Sequence, residues 1–416
     1  MSMHTLLLLI AGVAFLSIVL EDVVHVNKAK TTLFFGTLAW LLIFLFPEAG
    51  MTHDLVREKL DENLLEIASL WLFLMAAMTF VAFLNHQGLI ETLIYKALPR
   101  RVGERKLMFM VAGFAFLFSS LSDNITATLV SIALVLSLRM DARKTLRFAV
   151  MVVFAVNSGG VALITGDVTT LMIFMAGKVA IQDLLFLSLP ALVSVMLLAA
   201  MLARPLKGEV EIIPTERRDD RVGKVIAAIF LLTIVSTIIL NVIAGVPPVL
   251  TFLFGLSIMF LVGRIGYKDD ERESLLDYIR VIEYDTLLFF LGILLLVGML
   301  KEIGVLNSLV GVYELLPTTA ANFVMGLLSS LVDNVPLTAA LLKANIGMSP
   351  SQWLSLTYAV GVGGSLLVIG SAAGIVAMSK VEAVTFGSFA RYSLYLLVAF
   401  GAGFAGSYAV GHLLHG

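Results

Sequence analysis

The 416-residue sequence contains no cysteine, so it can form no disulfide, thiolate metal site or thiol nucleophile. Charge is scarce as well: Asp, Glu, Lys and Arg make up 14% of the chain, against about a quarter in soluble domains. Its 28 basic and 30 acidic residues leave a net charge of -2. No block of like charge accompanies aromatic residues, which argues against nucleic acid as a partner. Of only 10 prolines, all but Pro190 fall in connectors, near the ends of apolar runs or at one special tip. No Ser/His pair, His-based metal motif or nucleotide-binding loop is present, so neither an enzyme nor a cofactor is expected.

What fills the chain instead is apolar. Hydrophobic residues reach 59%, with 27 Phe and 33 Gly. Long apolar runs recur at 5–20, 31–46, 64–84, 107–138, 148–177, 184–202, 225–243, 249–262, 286–300, 320–342, 353–378 and 393–414. Most approach the roughly 20 residues that carry a helix across hydrocarbon. Continuous runs exclude the alternating strands of a membrane barrel. The expected fold is an all-α polytopic membrane protein, with the first run a span rather than a removed signal peptide.

Basic residues concentrate in cytoplasmic loops, and one assignment of sides places 23 of the 28 there. Lys28 and Lys30 belong to these predicted inner loops; Arg57, Lys59, Lys178, Lys301 and Lys343 do not. The assignment puts both termini outside. It also leaves the 107–138 run with basic residues at both ends, too short to cross twice. That run is expected to be a re-entrant hairpin whose polar middle, Ser122-Asp-Asn-Ile-Thr126, sits at membrane depth and lines a cavity.

The chain repeats itself. Ser119-Ser-Leu-Ser-Asp-Asn-Ile-Thr-Ala-Thr-Leu-Val130 aligns with Ser329-Ser-Leu-Val-Asp-Asn-Val-Pro-Leu-Thr-Ala-Ala340, with six of twelve positions identical. Gly159, Gly160 and Gly166 pair with Gly363, Gly364 and Gly370, and Gly88-Leu-Ile pairs with Gly304-Val-Leu. The order is kept, as a duplication requires. Each half is expected to hold five spans, a short amphipathic segment (88–98; 304–316) and one re-entrant hairpin. Five crossings are odd, so the second half enters upside down, its hairpin 320–342 from outside. The boundaries are 1–203 for the first inverted repeat, 204–224 for a cytoplasmic linker and 225–416 for the second. The runs 148–177 and 353–378 are expected to be broken spans at the midplane, as in secondary transporters.

Three acids lie inside apolar runs, Asp123, Asp167 and Asp333. An intramembrane charge costs about 2.5–3.5 kcal/mol on insertion scales, so each needs a partner, water or an ion. Their polar company is Asn124, Thr126 and Thr128 at the first tip, Asn334 and Thr338 at the second, and Asn157 and Thr169 around Asp167. Ser119, Ser122, Ser158, Ser329, Ser365 and Ser371 are supporting hydroxyls, and the six glycines named above mark the breaks. Carboxylate, amide, hydroxyl and freed backbone oxygens suit a hard cation. A carboxylate that takes either sodium or a proton makes the two compete. The alternatives are local: Asp at a hairpin tip caps the next helix, serine hydroxyls bond back to their own helix, and most glycines pack. His86, Glu66, Glu283 and Asp285, near span ends, are expected to be solvated.

On the motifs Ser122-Asp-Asn-Ile-Thr-Ala-Thr128, Val332-Asp-Asn-Val-Pro-Leu-Thr338 and Asn157-Ser-Gly-Gly with Gly166-Asp-Val-Thr169, and more weakly His25-Val-Asn-Lys-Ala29, the chain resembles the NhaD-type sodium/proton antiporters. That branch belongs to an ion transporter superfamily with arsenite permeases and sodium-coupled dicarboxylate carriers. The resemblance implies export of sodium or lithium in exchange for protons by alternating access. It further implies a homodimer in the bacterial inner membrane, with a scaffold part and an elevator-like moving part. The competing reading is a sodium-coupled dicarboxylate carrier or an oxyanion exporter. Those dicarboxylate carriers have neutral tips, and two carboxylates would repel an anion.

Overall fold

The computed structural model describes residues 3–19, 27–47, 52–89, 99–211, 221–266, 277–344 and 346–416. His25 of the weak echo, most of the 88–98 segment and the centre of the 204–224 linker lie outside the described residues. The first half runs α1 (Met3–Val19), α2 (Lys28–Leu45), α3 (His53–His86), α4 (Glu104–Leu121), α5 (Asn124–Ser137), α6 (Ala142–Gly160), α7 (Val168–Met175) and α8 (Ile181–Ala203). The second runs α9 (Arg221–Ala244), α10 (Pro248–Gly266), α11 (Asp277–Val281), α12 (Tyr284–Glu302), α13 (Asn307–Leu315), α14 (Thr318–Leu328), α15 (Asn334–Lys343), α16 (Pro350–Gly363), α17 (Ala372–Lys380), α18 (Phe386–Ala390) and α19 (Ser393–His415).

Seven of the described helices are long and apolar enough to cross a membrane. Large side chains such as Phe254, Leu261 and Ile243 face outward, 62–79% exposed, which suits lipid and not water. The departure from an all-helical chain is a short antiparallel ribbon of β1 (Arg101–Gly103) and β2 (Glu209–Glu211), with Arg101 opposite Glu211. It ties the start of the first hairpin to the segment after α8.

Capping explains where the helices start. Thr52 accepts from the Leu55 amide and begins α3 well before the apolar run at 64, so charged turns extend the span. Asp141 accepts from the Lys144 amide at 3.0 Å and starts α6 ahead of the expected 148. Ser349 and Gln352 form a capping box with Pro350 at the first turn of α16. Pro190 sits inside α8, as its exceptional position in an apolar run implied.

Packing repeats between halves. In the first, α4 and α5 lie against α6; in the second, α14 and α15 lie against α16. The halves also exchange partners: α7 contacts α15, α17 contacts α5, and α8 contacts α19. A second layer joins α2 to α12 and α3 to α10. There Gly36 and Gly292 bring the α2 and α12 backbones so close that a Cβ on Gly36 would stand 2.6 Å from the Gly292 carbonyl oxygen. The Trp40 indole N–H donates to the Leu295 carbonyl across the same contact, at 2.9 Å.

Candidate functional site

Four helices begin in mid-chain breaks, and a side chain closes each. Asp123 caps α5, its Oδ1 accepting from the Thr126 amide at 2.9 Å. Asp167 caps α7 through the Thr169 amide at 3.1 Å. Asp333 caps α15 through the Val335 amide at 3.2 Å, and Ser371 caps α17 through the Gly374 amide at 3.3 Å. Capping, set against ion binding in the sequence reading, uses only one carboxylate oxygen at each acid and leaves the other for a second partner.

These breaks meet at one cavity of about 140 Å³, lined by Asp123, Asn124, Asp167, Asp333, Asn334 and Ser371 together with Asn27, Lys28 and Asp285. Four helix N-termini would by themselves favour an anion, each carrying about half a positive charge. Three carboxylates at those termini reverse the preference. Among the described residues no three acids or histidines converge closely enough to hold a metal ion by themselves. A cation here would need amide, hydroxyl or main-chain oxygens too.

Hydrogen bonds connect the breaks. The Asn334 amide donates to Asp167 Oδ2 at 3.1 Å. Asn157 donates to Ser371 Oγ at 2.9 Å, and Asn124 donates to Asn157 Oδ1 at 3.5 Å. Asp167 is only 7% exposed. Around the breaks the free oxygens of the described residues are unevenly placed: Ser122 Oγ, Asp123 Oδ2, Ser158 Oγ, Thr169 Oγ1 and Thr170 Oγ1 are buried without a protein partner. All five belong to the first half. At the second tip Asp333 Oδ2 instead accepts from Lys28 Nζ at 3.1 Å.

The remaining residues singled out from sequence hold the breaks together. Thr128 and Thr338 donate back to the Asn124 and Asn334 carbonyls at 2.7 and 2.8 Å. Ser119 and Ser329 donate across to the Val156 and Val360 carbonyls, both at 2.7 Å. Ser365 bonds within its own turn. Thr126 lends its amide to Asp123. None of these lines the cavity. The break glycines are packing glycines: a Cβ on Gly159 would overlap the Phe116 carbonyl, and one on Gly363 the Gly326 carbonyl. Gly160, Gly166, Gly364 and Gly370 are crowded in the same way, and none adopts a left-handed backbone.

Sequence reading missed three residues. Lys28, assigned to a solvated inner loop, is partly buried and paired with Asp333. Its neighbour Asn27 donates to Asp285 at 2.7 Å, and Asp285 lines the cavity although read as an ordinary span-end acid. The signal lay in the weak echo at 25–29. His86 is likewise engaged, its Nδ1 3.1 Å from the Tyr278 hydroxyl, and Glu66 pairs with Lys343.

Residues 6–363 match the model of the CitMHS family, described as citrate transporter. The chain is 32% identical to the Na(+)/H(+) antiporter NhaD of Vibrio cholerae, over 94% of this chain and 89% of that protein. It is 32% identical to NhaD of Alkalimonas amylolytica, over 89% and 83%. It is 29% identical to sodium/proton antiporter 1 of Arabidopsis thaliana, over 98% and 72%. In fold it is similar to the Alcanivorax borkumensis YdaH transporter, with a TM-score of 0.53 at 14% identity, covering 93% of this chain and 98% of that one.

Proposed function

We propose that this chain, which belongs to the CitMHS family and within it to the NhaD sodium/proton antiporters, works by holding sodium and protons in turn at Asp123, Asp167 and Asp333. It is a secondary transporter and not an enzyme, an integral membrane protein that exchanges sodium for protons. The observation that carries the site assignment is the meeting of four N-capped breaks on one cavity, three of them capped by carboxylates. A carboxylate that caps its helix through one oxygen can exchange a proton for a metal ion at the other without unfolding the break; that second oxygen has no protein partner at Asp123, and is shared with Asn334 at Asp167 and with Lys28 at Asp333.

The transport cycle is proposed to be elevator-like. The hairpins and broken helices (α4–α8 and α14–α19) would move as one part against α1–α3 and α9–α12. One feature supports this division: the close α2–α12 contact ties the second part together, while α15 packs on α12 between the parts and the Lys28–Asp333 and Glu66–Lys343 ion pairs bridge them. Seven long helices, α1 and the two interrupted helices would supply five passages in each half, with the halves inverted and both termini outside. Lithium is proposed as a second substrate, a homodimer as the assembly and the bacterial inner membrane as the location.

The citrate-transporter family description keeps an anion carrier as the competing reading. Carboxylates at three of the four helix starts weigh against it, since they remove the positive end that would attract an anion. The test is sodium- and lithium-induced dequenching of a pH-sensitive dye in inside-out vesicles from about pH 6 to about pH 9. Asp123→Asn and Asp333→Asn should each abolish the response. Full activity in both variants, or sodium-dependent uptake of a labelled dicarboxylate, would overturn the assignment.

A further inference from the structure

The two hairpin tips have the same backbone plan and different electrostatics. Each Asp caps its helix through Oδ1, and each following Asn takes a threonine hydroxyl on its carbonyl. Asp123 Oδ2 is buried with no protein partner. Asp333 Oδ2 carries the Lys28 ammonium at 3.1 Å. A primary ammonium and a sodium ion are alike in charge and in the oxygens they choose, so one carboxylate oxygen facing a cavity serves one or the other.

Lys28 is held where it can do this repeatedly. It is the first residue of α2, and the Thr31 and Thr32 hydroxyls donate to its carbonyl at 3.1 and 2.7 Å. Asn27 binds Asp285 at the start of α12, the Lys28 ammonium lies 4.7 Å from the Phe289 ring centroid of α12, and the Gly36–Gly292 contact fixes α2 on α12. The lysine therefore reaches from the rigid layer into a cavity lined by Asp123, Asp167 and Asp333 of the hairpins and the broken helix, and by Asp285 of its own layer. The equivalent position in the second half carries no lysine. The second helix of that half, α10, begins at Pro248 after Pro247, where the first half has Asn27 and Lys28.

We propose that the Lys28 ammonium is a tethered cation that competes with sodium for Asp333, so that the two tips differ in the sodium concentration at which they fill. The proposal rests on the antiport reading and adds a residue to it that sets sodium affinity. Competition predicts a gain on removing the competitor, which a merely structural lysine does not.

The experiment is equilibrium binding of sodium-22 to the purified full-length protein in lipid nanodiscs. Lys28→Met should tighten apparent sodium affinity by about fivefold or more, the scale of a coupling between two ligands. Lys28→Arg, which keeps the charge, should show no tightening. In an Asp333→Asn background Lys28→Met should give no gain, because the contested carboxylate is gone. Lys28→Gln carries the same test if the Met variant does not fold. Unchanged or weaker sodium binding in both neutral variants overturns the proposal, as does a full gain that persists without Asp333. Absence of sodium binding to the unmodified protein would instead overturn the antiport reading.

Discussion

The two halves of the molecule are close copies in packing and poor copies in chemistry. Ser119 and Ser329 bridge to the facing broken helix at the same 2.7 Å, and Gly159 and Gly363 each allow a carbonyl of the first hairpin arm to approach. The polar content then diverges. Asp167 caps the first break and Ser371 the second; Asn157 has Gly361 at its place in the second half. The buried oxygens without protein partners at the breaks all belong to the first half, while the second tip is satisfied by Lys28. The packing scaffold is thus present twice, while the open oxygens at the breaks are concentrated in the first half.

The strongest way to break this comparison is to remove the acid that has no equal. Removing one member of a buried charged set costs about 3 kcal/mol or more, about 100-fold in a constant. Asp167→Asn should lower sodium-driven proton movement in vesicles by about that factor. Ser371→Ala, at the matching break, should lower it by about tenfold or less, since it removes a helix cap worth about 1 kcal/mol and one acceptor for Asn157. Equal losses in the two variants would mean that the halves contribute alike.

A smaller effect is expected from the amide that crosses between halves. Asn334 donates to Asp167 Oδ2 and so orients a carboxylate it does not replace. Outer partners of ion ligands are commonly worth about tenfold. Asn334→Ala should raise the sodium concentration for half-maximal dequenching by about that much. Asn124→Ala, whose longer contact is to Asn157, should raise it less. The reverse order would move the centre of the site from Asp167 toward the first hairpin.

Much of this architecture was legible in the sequence, for physical reasons that can be assigned. Hydropathy gives the spans because most residues of a span must match hydrocarbon. The Asp-Asn tips stood out because an acid inside an apolar run has few reasons to be there. What pattern did not reveal was contact between distant segments. Lys28 obeys the rule for inner loops, and nothing local distinguishes a solvated lysine from one that reaches Asp333, 305 residues away. Thr128 and Ser365 were legible as polar and still misleading, because a hydroxyl in a helix can satisfy itself on the preceding turn. The six glycines lie beside the breaks, where they serve close approach and not an unusual backbone angle.

Where packing is duplicated, the two halves should respond alike. A methyl group at Gly159 or Gly363 must displace a main-chain carbonyl, and overpacking of this kind costs about 1–3 kcal/mol. Gly159→Ala and Gly363→Ala should lower the thermal unfolding midpoint in detergent by similar amounts. A marked difference would show that the packing symmetry is only apparent.

The smallest expected effect separates the halves again, at the foot of each hairpin. In the first, buried Glu104 accepts from Lys144 Nζ at 2.6 Å and from the Gly208 amide at 2.9 Å, clasping α4 to α6. In the second, Asn322 donates to the Gln352 carbonyl at 2.9 Å and to Ser355 at 3.2 Å, a neutral clasp between α14 and α16. The hydrogen bond from Lys144 to Glu104 raises the lysine above its ordinary range, against a smaller opposing effect of desolvation. A raised lysine contributes stability below its unfolded value of about 10.4 and loses that contribution as pH climbs through the folded value. Lys144→Met should therefore lower the unfolding midpoint slightly at neutral pH, with the gap from the unmodified protein closing above about pH 10.4. Ser355→Ala, which removes one acceptor of that clasp, should give a gap that does not change with pH over the same interval, because neither Asn322 nor Ser355 titrates there. A constant gap for Lys144→Met would mean that Lys144 acts by packing its stem and not by its charge.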